Sequence, residues 1–205
     1  MQKGFTLIEL LIVIAILAIL ATVVVLVLNP AQILAETRDS QRFSDLNTLR
    51  AALSLYLTTV ATPDLDGTTS SCASLCYVNL DVDGGANQRC DGRHATSKTD
   101  QVDTDRTVNG TGWIPVNFTT SSGGSPISVL PVDPVNNAGA GNCDLDAGGA
   151  VGCYYSYACD NGTREFELDA ALESTRYAVT ENKDANDGGD TADVYEVGND
   201  TGLDL

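Results

Sequence analysis

The chain has 205 residues, a length that favours one domain or one domain with an anchor, and its formal net charge is −17. So acidic a chain repels nucleic-acid phosphates and anionic membrane surfaces, and we expect no generic nucleic-acid binding. The single histidine, His94, leaves little material for histidine-dependent catalysis or a multi-histidine metal site, so we expect no enzyme. His94 follows Arg93 in a polar stretch, where we expect it to be exposed.

The first predicted element is an apolar helix. From Phe5 to Leu28 the polar residues are Thr6, Glu9 and Thr22. As a helix this segment extends about 36 Å at 1.5 Å per residue, which is enough to cross a bilayer core of about 30 Å.

Two ordinary interpretations of this segment compete with a specialised one. A cleaved secretory signal has a basic start, which Lys3 supplies, but it also needs a shorter apolar core and a small-x-small cleavage site before Pro30. A plain membrane anchor gains nothing from Glu9, since a carboxylate costs about 2.5–3.5 kcal/mol at a helix centre and less toward its end. An acid within such a segment therefore indicates a functional site with a partner.

The stretch GFTLIE, from Gly4 to Glu9, resembles the processing site of type IV pilins and type II secretion pseudopilins. In that family a prepilin peptidase cuts after the glycine and N-methylates the new first residue. The resemblance implies a leader of residues 1–4, cleavage between Gly4 and Phe5, and methylation of Phe5. Lys3 would keep the leader on the cytoplasmic side by the positive-inside tendency.

Glu9 then has a partner. Cleavage creates an α-amine at Phe5 in an apolar place, and a carboxylate and an ammonium offset part of their burial cost when they pair. Phe5 and Glu9 are i and i+4 neighbours in one chain, and between chains Glu9 can instead meet the amine of the next subunit. We expect that contact to set the axial register as a subunit enters a filament.

A second helix half is predicted over residues 30–60. Proline removes a helical hydrogen bond and clashes with the preceding turn, so we expect a kink, or equally a helix break, at Pro30. Apolar residues then recur at spacings of three and four and predict one face packed on a sheet, with Asp39 and Arg42 on other faces. The face comprises Ile33, Leu34, Phe43, Leu46, Leu49, Leu53, Tyr56 and Val60. Residues 31–42 are poorer in large apolar side chains, which suits contacts between helices in a filament.

Residues 61–205 form the predicted extracytoplasmic domain. Turn formers dominate residues 61–112, which we expect to be a variable loop. In the sheet region, residues 113–205, the strand candidates are Trp113–Phe118, a hairpin between Cys153 and Leu168, Tyr177–Val179 and Val194–Val197. Two prolines make residues 129–134 a connector, similar to the Pro-x-Asp-Pro segment of many pseudopilins. The expected fold is α+β and type IV pilin-like, with a long kinked helix on a small antiparallel sheet and disulfide-stapled loops.

Six cysteines follow the apolar segment and suggest up to three disulfides. They are Cys72, Cys76, Cys90, Cys143, Cys153 and Cys159. Cys153 and Cys159 would be about 20 Å apart along a strand, whereas a disulfide needs Cα atoms within about 7 Å, so they need different partners. Cys143 is a natural candidate for one of them, and the first three would staple the loop with one bridge crossing to the sheet. The connectivity stays open, and the alternative of a zinc site lacks paired C-x-x-C ligands.

A late acidic loop offers oxygen ligands for calcium. Asp184, Asp187, Asp190 and Asp193 lie within ten residues, and some major pseudopilins bind calcium in a late loop. The segment does not fit the EF-hand template, because Gly188 occupies a ligand position, and a solvated acidic loop is the alternative. We expect no other cofactor.

Three functions are compatible with these features. The first is a structural subunit of a type IV pilus-like surface filament, a homopolymer that a prepilin peptidase and an inner-membrane assembly machinery produce from a membrane-inserted precursor. The second is a pseudopilin of a type II secretion system, working as a piston in the periplasm. The third is a membrane-anchored binding protein that forms no filament.

Overall fold

The computed structural model of the chain describes residues 4–67, 72, 74–80, 89–90, 92–94, 98–137, 143 and 152–205. Two consecutive helices come first, α1 at Leu7–Leu28 and α2 at Pro30–Thr59. Five strands form one sheet: β1 Leu75–Asn79, β2 Thr99–Asp103, β3 Tyr155–Asp160, β4 Glu165–Ala170 and β5 Tyr195–Gly198. The fold is the expected α+β, pilin-like one.

A single residue, Asn29, separates α1 from α2. Its backbone is left-handed, with φ 39° and ψ 75°, a conformation that asparagine tolerates better than most residues, and the following proline disfavours the right-handed helical conformation at this position. Pro30 is the first residue of α2, a position where its fixed φ suits a helix and where no N–H is needed. The interruption at this point is therefore a break at Asn29, with Pro30 beginning a new helix.

The sheet order is β2-β1-β3-β4-β5. The predicted hairpin is β3 with β4, in which Tyr157 pairs with Leu168, and the last predicted strand is β5. The sheet is mostly antiparallel, as expected, and the one parallel pair among the described strands is β1 with β2.

Two strands arise from the stretch expected to be only a variable loop. β1 lies between β2 and β3, and Val78 is paired with both Val102 and Ser156. The partner in β3 is nearly 80 residues away along the chain, so the turn-forming composition around β1 carries no information about this pairing. Residues 68–71, 73, 81–88, 91 and 95–97 of the same stretch lie outside the described residues.

The strand predicted at Trp113–Phe118 was wrong. The N–H of Trp113 donates to the carbonyl of Asp105 and that of Phe118 to Val108, while Pro115 has no N–H, so no ladder forms. Phe118 instead begins a short 3₁₀ helix. The apolar side chains of this segment are nevertheless buried, so the run of apolar residues indicated burial and did not indicate a strand.

The strand predicted at Tyr177–Val179 was also wrong, because Thr175–Thr180 form a π-helical turn. The hydroxyl of Ser174 accepts a hydrogen bond from the N–H of Tyr177 and caps the turn. The N–H of Glu181 donates to the carbonyl of Arg176, five residues earlier. The ring of Tyr177 packs edge-on against Phe43 of α2, with 5.1 Å between centroids.

The main core lies between α2 and one face of the sheet. The helix contributes Leu46, Leu49, Leu53 and Tyr56, and the sheet contributes mainly aromatic side chains. Those from the strands are Tyr77, Tyr155, Tyr157 and Phe166. The predicted apolar face of α2 is thus correct for its C-terminal half, whereas Ile33 and Leu34 are 48% and 59% exposed.

Side chains alternate along a strand, so the other face of the sheet carries a different set. Glu167 and Asp169 of β4 project from it, and so does Glu196 of β5, which is in register with Asp169. All three are buried, which places a polar layer on the side of the sheet away from α2.

Three disulfides join the six cysteines in the pairs Cys72–Cys159, Cys76–Cys90 and Cys143–Cys153. The first crosses from the predicted loop to β3 and closes 87 residues of chain, whereas the second closes 14 residues within that loop. Cys153 and Cys159 have different partners, as their separation along the strand required.

We expect these two bridges to differ in their contribution to stability. In the chain-entropy model a disulfide that closes 87 residues stabilises by about 4.5 kcal/mol, and one that closes 14 residues by about 3 kcal/mol. Replacing Cys72 and Cys159 by serine should therefore lower the free energy of unfolding by about 1.5 kcal/mol more than the same change at Cys76 and Cys90. Urea denaturation followed by the fluorescence of Trp113 measures both, and an equal or reversed order contradicts the model.

Candidate functional site

The side chains of α1 are apolar on every side of the helix. Each large hydrophobic residue described between Leu7 and Leu28 is at least 47% exposed, including Ile8, Ile19 and Val27. A helix that is apolar all round needs a membrane or other helices to cover it. The N-terminal helical segment is the one stretch of the described chain that is long and apolar enough to cross a membrane, by length and composition.

The predicted cleavage position is open on the surface. Gly4 has no other atom within 4 Å of the position that a Cβ would take, and Phe5 is 84% exposed. A peptidase can therefore reach the bond between them without displacing any described part of the domain. Residues 1–3 of the leader, including Lys3, lie outside the described residues.

Glu9 caps its own helix. Its Oε2 accepts hydrogen bonds from the Thr6 N–H at 2.9 Å and from the Thr6 hydroxyl at 2.7 Å, and the Thr6 hydroxyl accepts from the Glu9 N–H at 3.3 Å. This reciprocal arrangement is a capping box, which satisfies two of the free N–H groups at the start of a helix. In the uncleaved chain the carboxylate is thus held one turn from the future α-amine of Phe5, and the predicted contact with a neighbouring subunit stays a prediction.

Arg42 forms the largest ionic contact between α2 and the rest of the domain. Its side chain is fully buried, and its Nε and Nη2 donate to the two carboxylate oxygens of Asp133 at 2.6 and 3.0 Å. Its Nη1 lies 2.7 Å from Asp39 and 2.6 Å from Glu173. Arg38 also binds Glu173, with an Nη2–Oε2 distance of 2.6 Å.

These contacts correct the expectation that Asp39 and Arg42 lie away from the packed face of α2. Asp39 also accepts hydrogen bonds from the backbone N–H groups of Glu173 and Ser174, at 3.0 and 2.8 Å. The helix spacing contained the signal for this. Stepping back from Leu46 by four, three and four residues leads to Arg42, Asp39 and Ala35, and all three are buried. The predicted face included apolar residues only, whereas the same face continues toward the start of α2 through the charged residues Arg42 and Asp39.

The pKa values of this cluster follow from burial and charge. Burial alone would raise the pKa of Glu173, but hydrogen bonds from Arg38 and the charge of Arg42 outweigh it and lower the pKa below its ordinary 4.5. Burial alone would lower the pKa of Arg42, because it disfavours the charged form, but the contacts with Asp133 and Glu173 outweigh burial and raise the pKa. Glu173 and the two arginines that bind it, Arg38 and Arg42, are therefore charged at neutral pH.

His94 was expected to be exposed, and this was wrong. Its imidazole lies in the polar layer of the sheet, with Nδ1 3.0 Å from Glu167 Oε1 and Nε2 3.2 Å from Asp169 Oδ2. Burial and the neighbouring carboxylates of Glu167 and Glu196 raise the pKa of Asp169 well above its usual range. The sequence contains no local signal for this position, because the strand that supplies Glu167 and Asp169 is more than 70 residues away.

The acidic loop proposed for calcium uses its carboxylates locally. Asp187 accepts hydrogen bonds from the N–H groups of Gly189 and Glu196, at 2.9 and 2.6 Å, and Asp184 accepts from Ala185. Asp190 accepts from the Thr191 hydroxyl. In the part of the chain that the structure describes, these aspartates do not form a group of three or more with ligand atoms within 4.8 Å of one another. Calcium binding here stays a prediction.

Comparison with known proteins identifies the N-terminal segment. Residues 1–25 match the family model described as the prokaryotic N-terminal methylation motif, the signal motif of type IV pilins and pseudopilins. No curated protein and no solved structure matched the chain. The motif supports membership among these structural, non-enzymatic subunits, and it implies processing by a prepilin peptidase and assembly into a filament. Together with the apolar helix it suits a membrane-anchored precursor.

Removing the charge of Arg42 should destabilise the domain strongly. Arg42→Met leaves the buried Asp39 and Asp133 without their arginine partner and Glu173 with Arg38 alone, and breaking a buried ion pair in this way costs about 3–5 kcal/mol. Arg50→Met is the matched control, since Arg50 lies on the exposed side of the same helix and its loss should change stability by less than about 0.5 kcal/mol. Denaturation of the detergent-solubilised chain, followed by Trp113 fluorescence, compares them, and similar effects of both changes would count against the network.

The lowered pKa of Glu173 predicts a pH dependence. In the folded state Glu173 holds its proton more weakly than in the unfolded state, so its stabilising effect is complete above pH 4.5 and disappears as the pH falls through the lower folded pKa. Glu173→Gln should therefore be less stable than the unaltered chain at neutral pH, and the gap should narrow as the pH falls below 4.5. A gap that stays constant across this range contradicts the proposed ionic role.

Proposed function

We propose that the chain is a structural subunit of a type IV pilus-like surface filament. The observation that carries this proposal is an all-round apolar helix α1, exposed along its length, directly behind a methylation motif. In the precursor α1 spans the inner membrane with its domain outside. In the filament, copies of α1 cover one another and replace the lipid.

Glu9 supplies the register of assembly in this proposal. After cleavage the α-amine of Phe5 is a buried cation in the filament core, and a carboxylate nearby lowers the cost of burying both charges. An incoming subunit whose Glu9 reaches the Phe5 amine of its neighbour is therefore favoured over one that is axially displaced. The capping box keeps the carboxylate near the helix start until that contact forms.

The outer domain suits a repeated, exposed surface. Arg42 ties α2 to the domain, so the outer layer is anchored to the helix that directly follows α1 in the chain. Three disulfides hold the sheet and its long connections together outside the cell, where thiols oxidise. The net charge of −17 keeps the exposed surface soluble.

A pseudopilin of a type II secretion system is the second candidate. Asp133 of the Pro-x-Asp-Pro connector favours it, because this residue is fully buried against Arg42, as expected if that connector has a structural role shared with pseudopilins. Deleting the gene separates the two functions. Loss of surface filaments with normal protein export supports a pilus, and loss of export supports a secretion pseudopilus. An unpolymerised, uncleaved membrane protein would leave only the third function, a membrane-anchored binding protein.

Electron microscopy and mass spectrometry of sheared surface filaments test the leading proposal. We expect a mature chain that begins at N-methylated Phe5, after removal of residues 1–4.

Two substitutions separate the charge of Glu9 from its capping role. Glu9→Gln keeps the hydrogen-bond acceptor for Thr6 but removes the charge, whereas Thr6→Val removes the side-chain cap and keeps the carboxylate. We expect Glu9→Gln to be cleaved normally and to form few filaments, and Thr6→Val to assemble. Immunoblots of the sheared and membrane fractions measure both steps, and normal filament yield from Glu9→Gln would rule out the register role.

A further inference from the structure

The polar layer on the sheet face away from α2 contains a compact group of metal-ligand atoms. His94, Glu167 and Asp169 each have fully buried side chains. One ligand atom from each residue lies within 4.8 Å of the other two. Two elements far apart in the sequence therefore converge on one enclosed point.

A disulfide and a turn hold His94 in place over the strands. Cys90 is bonded to Cys76 of β1, and the backbone N–H groups of Arg93 and His94 both donate to the carbonyl of Cys90, at 3.1 and 3.3 Å. The imidazole is thereby set against β4 without depending on a helix or strand of its own.

The geometry around the imidazole requires a proton or a metal ion between Nε2 of His94 and Asp169. A neutral histidine has one N–H, and if it donates from Nδ1 to Glu167, then Nε2 presents a lone pair to the Asp169 carboxylate 3.2 Å away. Two lone pairs at this distance repel each other unless a proton or a metal ion lies between them. Among the described residues, Nε2 of His94 and Oδ1 of Asp169 have no hydrogen-bond partner, nor does Oε1 of the buried Glu196.

The neighbouring basic side chains are engaged elsewhere. Arg93 donates to the carbonyls of Tyr154 and Gly152, at 3.1 and 2.9 Å, and stacks on the ring of Tyr154. Lys98 donates to the carbonyl of Cys72 at 3.0 Å. Neither makes a hydrogen bond or ion pair with Asp169 among the contacts of the described chain.

We propose that Nε2 of His94 and the carboxylate of Asp169 bind a divalent first-row metal ion, for which zinc is the best representative, while Glu167 accepts the hydrogen bond from Nδ1 and orients the imidazole. An imidazole together with a carboxylate suits zinc, whereas calcium prefers oxygen ligands alone. Two ligand atoms about 2.0–2.1 Å from a tetrahedral ion lie about 3.3 Å apart, close to the 3.2 Å between Nε2 and Asp169 Oδ2. All six cysteines are in disulfides, so no thiolate competes for the ion.

The ion would fasten the segment around Cys90 to the centre of the sheet and reinforce the Cys76–Cys90 disulfide. This role is independent of whether the filament is a pilus or a secretion pseudopilus, since it concerns the folded domain of a single subunit.

Metal analysis of the full chain tests the site. The detergent-solubilised protein is stripped with a chelator, incubated with zinc chloride and dialysed. We expect about one zinc ion per chain by elemental analysis and a higher melting temperature in zinc than in chelator. X-ray absorption should show nitrogen and oxygen ligands at about 2.0–2.1 Å and no sulfur.

Two variants and a control locate the ion. His94→Gln and Asp169→Asn should each retain less than about a tenth of the zinc, since loss of a ligand weakens such sites by tenfold or more. Asp103→Asn, at an exposed carboxylate of β2, should retain all of it. Circular dichroism and Trp113 fluorescence verify that each variant is folded.

Two results overturn the proposal. If the unaltered chain binds no zinc after dialysis and its melting temperature is unchanged, a proton and not a metal lies between His94 and Asp169. If His94→Gln and Asp169→Asn bind as much zinc as the unaltered chain, the ion is on the acidic surface.

Discussion

Arg42 is the point at which three otherwise separate parts of the chain meet. Its guanidinium contacts Asp39 on its own helix, Asp133 in the connector that precedes β3, and Glu173 after β4. A buried arginine is costly to desolvate, so it is tolerated only where carboxylates satisfy its N–H groups. Here the carboxylates do satisfy them. An arrangement that kept Arg42 buried but moved α2 away from the sheet would lose these partners and would therefore be unfavourable. The position of the helix on the domain follows from this constraint as much as from the apolar core beyond it.

The contacts of Arg42 give the two helices of the N-terminal segment different roles. The first helix is apolar on all sides and packs on no other described part of the chain, while the second is fixed to the domain by Arg42 at one end and by leucines at the other. A filament built on the first helix therefore carries the outer domain through the second. Asn29 is the single residue between these two helices, and its left-handed conformation ends one helix before the next begins.

Because side chains alternate along each strand, the two faces of the sheet differ: one is mainly apolar and packs on α2, and the other is a buried polar layer. Toward α2 the strands present tyrosines and other apolar side chains, which supply the core that the small domain needs. Away from α2 the same strands present Glu167, Asp169 and Glu196, buried under His94 and its disulfide-bonded segment. Burial and the neighbouring carboxylates raise the pKa of Asp169 well above its usual range and that of Glu196 to about 9, so this layer needs protons or a bound cation. The tyrosine cluster is thus explained by packing, whereas the acidic layer matches the proposed proton or cation site.

The sequence by itself determined the N-terminal motif, the long apolar helix behind it, the interruption at Asn29-Pro30, the β3–β4 hairpin and the need of Cys153 and Cys159 for different partners. These features depend on neighbours within a few residues, where periodicity, turn chemistry and the reach of a strand act directly. The tertiary structure alone decided the strand β1, the irregular path of Trp113–Phe118 and the burial of Arg42 and His94. For β1, Arg42 and His94 the deciding partner is more than 70 residues away, as with Tyr77 and Tyr157 or Arg42 and Asp133. The path of Trp113–Phe118 instead follows backbone hydrogen bonds to Asp105 and Val108. The pairing of a strand, and the identity of the groups that face a buried charge, depend on what lies opposite in space, even where the helix spacing places Arg42 on the packed face.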